Sequence, residues 1–182
     1  YRSGLHLGIK QVMALLIALA IVGGYALVQE SAQDAAPISS DTFLYSIHSR
    51  DMSLVEITHI GDTERFVWDG QKRSWVFDDH SRVGVSEYRW GGITLLLEGP
   101  KYERLLKVDQ VDLGRFGLDP PATTIRVGLD NGDRFALDVG ITTPDGLNHY
   151  VRLEGADEVA LVDRSWGDVL VHLVTEPPYA TE

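Results

Sequence analysis

Cysteine is missing from this 182-residue chain, and basic residues are scarce relative to acidic ones. Without cysteine, disulfide bonds, thiolate metal sites and cysteine nucleophiles are excluded, so stability must come from packing. All 27 acidic residues and 14 of the 16 basic residues follow residue 28, which gives that part of the chain a net charge of −13. Nucleic acid and anionic lipid headgroups repel such an acidic domain, and we expect no nucleic-acid partner.

One long apolar run lies near the N-terminus. It begins at Val12, ends at Val28, contains no charged side chain and is preceded by Arg2 and Lys10. As a helix it would be about 25 Å long, close to the thickness of a bilayer's hydrocarbon core. Basic residues stay on the cytoplasmic side, so we expect a single span with the N-terminus inside. In a bacterium this places the anchor in the inner membrane and the following domain in the periplasm or outside.

A cleaved signal peptide is the alternative interpretation of this run. Gly24-Tyr25-Ala26 offers small residues at a plausible cleavage spacing. The run is longer than most signal-peptide cores, which favours an anchor that is retained in the bilayer. Gly23 and Gly24 would let a neighbouring helix approach closely, so we regard them as candidate contacts with an integral membrane partner.

The composition divides the chain into four segments. Residues 1–28 are predicted to be a cytoplasmic stub and transmembrane helix, 29–41 a polar linker, 42–174 an extracytoplasmic domain and 175–182 a C-terminal tail. The tail contains Pro177-Pro178 and is not expected to form regular structure. It either docks on a partner in an extended form, with Tyr179 as a candidate contact, or is disordered.

The domain has the sequence pattern of short strands joined by turns. Asp69-Gly70 and Asn131-Gly132 are hairpin signals because these residues tolerate positive φ. The predicted strands are residues 42–48, 53–60, 65–68, 74–77, 102–108, 123–129, 134–139, 149–153 and 158–162. Helices are predicted at residues 86–97 and 163–174, with a helical turn at 113–118. The expected fold class is α+β: one N-terminal transmembrane helix followed by a mostly antiparallel β-rich domain with two or three short helices.

The tryptophans divide into two groups. Trp68 and Trp75 are expected to help bury the inner face of the sheet. Trp90 and Trp166 lie on predicted helices, where an outward orientation would make them candidate partner contacts, because aromatic side chains anchor binding surfaces. Core packing is nonetheless the commoner position of an aromatic side chain.

The order of these elements resembles the domain of unknown function named DUF4340. The residues that carry the resemblance are Phe116-Gly117-Leu118-Asp119-Pro120, the Asn131-Gly132 hairpin, Val139-Gly140 and Tyr150-Val151-Arg152. The resemblance covers roughly residues 57–174. It implies a bacterial, β-rich protein with one N-terminal anchor, and some such domains accompany transport or gliding components. The family supplies no catalytic residues, and this chain departs from it at Phe77-Asp78-Asp79-His80.

No motif in the chain indicates catalysis. The acidic turns Asp78-Asp79-His80 and Asp130-Asn131-Gly132-Asp133 are better explained as solvated loops than as metal sites, since the second lacks the distal glutamate of a calcium loop. The histidines have no metal-ligand spacing, and no hydrolase elbow or phosphate-binding loop is present. We therefore predict no catalytic, metal-binding or cofactor-binding residues, and no cofactor.

The expected function is that of a non-catalytic, single-pass accessory or assembly subunit of a larger membrane complex. Transport, respiratory and photosynthetic complexes are candidate hosts, with integral membrane proteins as partners and the bilayer contacted through Val12 to Val28. The alternative is a periplasmic module, tethered to the membrane, that binds peptides, glycans or lipids. The alternative predicts a concave pocket with a few convergent polar groups.

Overall fold

The computed structural model describes residues 43–107 and 110–180. The predicted anchor and linker, with Gly23 and Gly24, lie outside these residues. Within the described part of the chain, no helix is both long enough and apolar enough to cross a membrane.

Eight strands form a single antiparallel sheet in the described domain. Its strands are β1 (Met52–His59), β2 (Asp62–Asp69), β3 (Ser74–Phe77), β4 (Tyr102–Lys107), β5 (Thr123–Leu129), β6 (Arg134–Thr142), β7 (Asn148–Leu153) and β8 (Glu158–Asp163). The order across the sheet is β3-β2-β1-β5-β6-β7-β8-β4. Most neighbours in the sheet are consecutive in sequence. The exceptions are β1, which pairs with β5, and β4, which pairs with β8.

Helical structure is limited to short segments in the described residues. These are α1 (Glu87–Trp90), α2 (Ile93–Leu96), α3 (Arg164–Thr175) and the 3₁₀ segments Ser49–Asp51 and Gln110–Phe116. Asp163 caps α3 by accepting a hydrogen bond from the backbone N–H of Ser165 at 2.8 Å. The expected mostly antiparallel β-sheet domain with a few short helices is confirmed for this part of the chain.

Two predicted elements differ from the structure. The helix predicted at residues 86–97 is divided into α1 and α2, because Gly92 has a φ of +87° and ends helical geometry between them. The strand predicted at residues 42–48 is reduced to one bridge between Phe43 and Lys101. Residues 44–47 instead lie along residues 98–100, and a Cβ on Gly99 would come within 1.9 Å of the Tyr45 carbonyl oxygen.

One face of the sheet, which we call the helix face, packs against α3. Alternate residues of a strand point to the same side, so one apolar set per strand meets the helix. The residues of this core with no exposed surface are Val55, Ile57, Phe66, Leu97, Ile125, Val127, Leu137, Val151, Ala160 and Leu170. Tyr45 packs beside this core and donates its hydroxyl to the Leu97 carbonyl at 2.9 Å, and burial raises the pKa of Tyr45.

The opposite face, which we call the polar face, carries the intervening residues of the same strands. Arg126 of β5 contacts Glu56 of β1 at 3.0 Å, and Arg152 of β7 contacts Asp138 of β6 at 3.0 Å. Cross-strand pairs of opposite charge stabilise adjacent strands modestly. The period of two in the sequence therefore separates an apolar face from a charged one.

Candidate functional site

The candidate contacts within the described residues occupy different environments. Trp90 and Trp166 are 7% and 6% exposed, so both have the core position that is commoner for an aromatic side chain and not the outward orientation that a partner contact requires. Large indole surfaces favour burial, and Trp166 still satisfies its N–H by donating to the Leu96 carbonyl at 3.0 Å. Tyr179 is half exposed and its role as a partner contact stays a prediction, as do those of Gly23 and Gly24.

A continuous aromatic cluster joins the edge of the sheet to the C-terminal tail. Its members, in order of contact, are Trp68, Trp75, Trp90, Phe66, Phe77 and Tyr179. Ring centroids are separated by 4.5 Å between Phe77 and Tyr179 and by 6.2 Å between Trp68 and Trp75. The members at the two ends, Trp68 and Tyr179, are 44% and 51% exposed, whereas the others are buried. The buried rings hold the two exposed ones in place.

The start of the C-terminal tail is ordered against the domain itself. The Ser86 N–H donates to the Pro178 carbonyl at 2.8 Å, and Tyr179 forms a bridge with Val85. Arg89 of α1 donates to the backbone carbonyls of Glu176 and Pro177. Up to residue 180 the tail therefore lies against this chain's own α1 region, and docking on a partner stays a prediction.

A shallow, open cleft of about 420 Å³ lies at the hairpin between β2 and β3. Its lining residues are Trp68, Asp69, Gly70, Gln71 and Arg82. The sequence predicted the hairpin and expected both hairpin tryptophans in the core. That expectation holds for Trp75, which is 8% exposed, but Trp68 leaves part of its indole in the cleft. We call this feature the Trp68 cleft.

Hydrogen bonds hold both walls of the Trp68 cleft together. Asp69 Oδ1 accepts from the backbone N–H groups of Gln71 and Lys72 at 2.9 and 3.0 Å. Lys72 Nζ then donates across the cleft region to the Arg82 carbonyl at 2.8 Å. The Arg82 N–H donates to Asp79 Oδ1 at 3.0 Å, and Arg82 has a φ of +48°. These contacts hold Arg82 in a backbone conformation that few non-glycine residues adopt.

The ionisable groups around the cleft are charged at neutral pH. The backbone N–H of Lys72 lowers the pKa of Asp69, and the Ser81 hydroxyl lowers the pKa of Asp79. The Arg82 guanidinium lies 3.6 Å from Asp78. The residues that line the cleft thus contribute one negative and one positive charge.

A second group of ionisable side chains joins α3 to β7. His149 Nε2 lies 3.2 Å from Asp168 Oδ1, and Arg164 Nε donates to Asp168 Oδ2 at 3.0 Å. Burial opposes ionisation of Asp168, but the hydrogen bonds from His149 and Arg164 lower the pKa of Asp168 overall. The His149 ring lies so close to α3 that a Cβ on Gly167 would come within 2.7 Å of the His149 Cδ2 atom. This arrangement fits a structural tie between helix and strand.

The two acidic turns of the sequence have local hydrogen-bond partners. In the β5–β6 hairpin, Asn131 Oδ1 accepts from the Asp133 N–H at 3.0 Å and its amide donates to Asp133 Oδ2 at 2.7 Å. Asp79 accepts from the backbone of Ser81 and Arg82. Among the described residues, no three histidine or acidic side chains are placed to hold a metal ion.

Two glycines allow the family motif segments to meet at one corner of the sheet. A Cβ on Gly140 would lie 2.0 Å from the Phe116 carbonyl oxygen, so only glycine permits this approach of β6 to the 3₁₀ segment. Gly117 has a φ of +67°, and a Cβ there would lie 2.7 Å from Ile141 Cγ2. Both positions therefore require glycine for backbone reasons.

A small second core fills this corner. Leu113, Leu118 and Val159 are buried together, with Leu118 only 1% exposed. The rings of Phe116 and Tyr150 meet edge to face with centroids 4.8 Å apart. The motif residues thus pack the 3₁₀ segment against the sheet, which is a structural role.

The comparison with known families agrees with this architecture. The model of DUF4340, a domain of unknown function, matches residues 75–172. The chain therefore belongs to the DUF4340 family, as its motifs indicated. The match includes the second core and Arg82 of the Trp68 cleft, whereas Trp68 precedes it. No curated protein and no solved structure matches the chain.

Proposed function

We propose that this chain is a non-catalytic, single-pass accessory or assembly subunit of a larger membrane complex. The observation that carries the proposal is the uncharged apolar run from Val12 to Val28, followed by a polar linker and an acidic β-rich domain. An anchor of this length commits a chain to one membrane without providing a transport path of its own. The bacterial inner membrane, with the domain in the periplasm or outside, is the location this proposal requires.

The mechanism would be attachment at two points. The anchor would pack against the transmembrane helices of integral membrane partners, with Gly23 and Gly24 at the contact. The domain would cover a surface of the same partner outside the bilayer. Each contact can be weak, because tethering makes the second contact intramolecular and raises its effective concentration. Transport, respiratory and photosynthetic complexes are suitable hosts for such a subunit.

The use of acidic groups in the domain supports a binding role over a catalytic one. Several carboxylates with a lowered pKa serve turns and caps: the Thr143 hydroxyl lowers the pKa of Asp145, and the Ser165 hydroxyl lowers that of Asp163. Catalytic groups, in contrast, usually have pKa values shifted toward the working pH and lie together in a cleft. These carboxylates are distributed over separate loops.

The helical segments offer apolar side chains that a partner can reach. Tyr88 of α1 is 95% exposed and Leu95 of α2 is 63% exposed. Sequence reasoning selected Trp90 on the same segment, because helical periodicity alone did not decide which aromatic residue faces the sheet. Tyr88 and Leu95 therefore replace Trp90 as candidate contacts of the domain.

Co-purification in mild detergent tests this function. The full chain should bring down the same integral membrane proteins reproducibly, whereas deletion of residues 5–28 should release the domain from them. A matched variant, Gly23→Leu with Gly24→Leu, keeps the anchor apolar and should stay in the membrane while losing at least part of the complex. Unchanged recovery of partners with the deletion variant would contradict the proposal.

A tethered periplasmic ligand- or peptide-binding module is the second candidate function. The Trp68 cleft is the observation that favours it, because an exposed indole beside several polar side chains is typical of small-ligand sites. This function predicts that the full chain migrates alone in mild detergent and still binds a soluble ligand. Recovery within a complex, without ligand binding, would favour the first function.

A further inference from the structure

Trp68 differs from the other three tryptophans of the chain. It is 44% exposed, whereas Trp75, Trp90 and Trp166 are 8%, 7% and 6% exposed. The aromatic contact with Trp75, at a centroid distance of 6.2 Å and an interplanar angle of 65°, supports the indole from the core side. A large apolar ring is therefore held in contact with solvent. Its exposure is unfavourable, and packing of the core does not require it.

The remaining lining of the Trp68 cleft is polar and planar. Asp69, Gln71 and Arg82 contribute a carboxylate, a carboxamide and a guanidinium, which together offer acceptors and donors. Gly70 adds no side chain, and a Cβ there would meet nothing within 4 Å, so this part of the cleft is open. The volume of about 420 Å³ falls in the range of small-ligand sites.

The charges around the cleft restrict the kind of ligand. An anion would face Asp69 and, behind Arg82, the carboxylates of Asp78 and Asp79. A cation would face Arg82 across the same space. An apolar molecule would leave the charged groups desolvated without partners, which is costly. A neutral ring with many hydroxyl groups matches both the indole and the planar polar side chains.

We propose that the Trp68 cleft binds one neutral pyranose ring of a glycan. The sugar's C–H face packs on the Trp68 indole, while Asp69 and Gln71 accept hydrogen bonds from its hydroxyls and Arg82 donates to them. Lys72 Nζ donates to the Arg82 carbonyl and the Arg82 N–H donates to Asp79, so the Arg82 backbone is fixed before the ligand arrives. Asp69 is fixed likewise by the N–H groups of Gln71 and Lys72, and this preorganisation lowers the entropic cost of binding. This inference rests on the second candidate function, ligand binding at the Trp68 cleft, and does not depend on the membrane attachment of the first.

Fluorescence of the unmodified protein provides a direct test. Acrylamide quenching reports mainly on Trp68, since the other tryptophans are buried. The full chain, in a detergent without a sugar headgroup, is titrated with cellotetraose, chitotetraose and maltotetraose. At least one sugar should protect the fluorescence from quenching in a saturable manner. No saturable protection by any of the three up to about 10 mM, well above a millimolar dissociation constant, would overturn the proposal.

Calorimetry on variants then locates the site. Trp68→Ala should weaken binding of the active sugar about tenfold, the value expected for loss of one aromatic stacking contact. Gln71→Ala should weaken it less, because one hydrogen bond is lost at an open surface. Phe43→Ala, which removes an aromatic ring of the same 44% exposure outside the cleft, is the matched control and should bind as the unaltered chain does. Equal affinity of the Trp68→Ala and unaltered proteins would also overturn the proposal.

Discussion

The helix face and the polar face of the sheet are built from the same strands but contribute to the protein in different ways. Phe66 on the helix face has no exposed surface, whereas its neighbour Arg65 on the polar face pairs with Asp78 at 3.2 Å and has a side chain that is 42% exposed. Burial of apolar area supplies most of the free energy of folding, and exposed ion pairs supply little. Stability should therefore reside mainly on the helix face, which leaves the open part of the polar face tolerant of change.

The polar face is not uniform. Its charged side chains are more exposed near β5 than near β7. Arg126 of β5 is 52% exposed, whereas Arg152 of β7 and Asp138 of β6 are 15% and 13% exposed. Beyond them, the 3₁₀ segment Gln110–Phe116 and the second core lie over the sheet. The polar face therefore has an open end, at Arg126, and a covered end, at Asp138 and Arg152, and these two ends can also be compared.

Phe66→Ala should have the largest effect on stability. Removing a fully buried aromatic ring from the centre of the aromatic cluster should lower the free energy of unfolding by about 3–5 kcal/mol. Arg65→Ala, one residue earlier on the polar face, should cost less than about 1 kcal/mol. Urea denaturation of both variants measures the difference. Similar losses for the two would break the comparison between the faces.

Gly140→Ala tests the covered end of the polar face. The added Cβ would meet the Phe116 carbonyl, a backbone atom, at 2.0 Å, so the 3₁₀ segment must move. We expect a loss of about 1–3 kcal/mol in the free energy of unfolding, typical of overpacking. Gly84→Ala is the control, because a Cβ there meets nothing within 4 Å. Unfolding in urea should leave the control within about 0.5 kcal/mol of the unaltered protein.

Asp163 tests how α3 is held on the helix face. Asp163→Ala removes the helix cap and should cost about 1 kcal/mol. The Ser165 hydroxyl and N–H lower the pKa of Asp163 below its ordinary value of 3.8. This stabilisation is therefore present above pH 3.8 and is lost as pH falls through the lower folded-state pKa. Asp163→Asn keeps a capping oxygen without titrating.

Thermal unfolding across a pH series measures this contribution. The difference in stability between the unaltered protein and Asp163→Asn should be constant near neutral pH and should shrink below the ordinary pKa of 3.8. A difference that instead grew on acidification would show that Asp163 is not stabilised as a carboxylate.

The smallest effect is expected for the open ion pair between Glu56 and Arg126. A double-mutant cycle with Glu56→Gln and Arg126→Gln should give a coupling energy of about 0.2–1 kcal/mol that falls with added salt. The same cycle on Asp138 and Arg152 should give a larger coupling that is less sensitive to salt, because water screens buried pairs less. Equal couplings at the two positions would remove the distinction between the open and covered ends.

Local chemistry explains which parts of the fold were predictable. The turns at Asp69-Gly70 and Asn131-Gly132 were correctly placed. In the second turn Gly132 has the positive φ that such a turn favours, at +89°. In the first turn the positive φ falls on Arg73 instead, and the Asp69 side chain closes the turn by accepting from the N–H groups of Gln71 and Lys72. The helix cap at Asp163 was equally local. The prediction of one helix at residues 86–97 was less accurate. The positive φ of Gly92 interrupts the helix, and the sequence does not show whether a helix continues through a pair of glycines.

The candidate site depended on contacts between distant parts of the chain. Trp90 is buried because α1 lies against Phe66 and Trp75, with ring centroids 4.6 and 5.3 Å away. Neither helical periodicity nor composition specifies that neighbour. Trp68 remains in a cleft because Arg82, from a later loop, forms its second wall. Residue type indicated that these tryptophans contribute to the core or to a binding surface, but it did not indicate which of them is exposed to solvent.

The sequence by itself determined that the chain has no disulfides, that an apolar run precedes an acidic domain, where the hairpins turn, and that the chain resembles DUF4340. These properties follow from residue type and short-range spacing. Tertiary structure decided that β4 pairs with β8, that Trp90 and Trp166 are buried and that a cleft forms beside Trp68. The physical reason is that alternation assigns each side chain to a face of the sheet, whereas its neighbours on that face depend on strand order and on what packs above them.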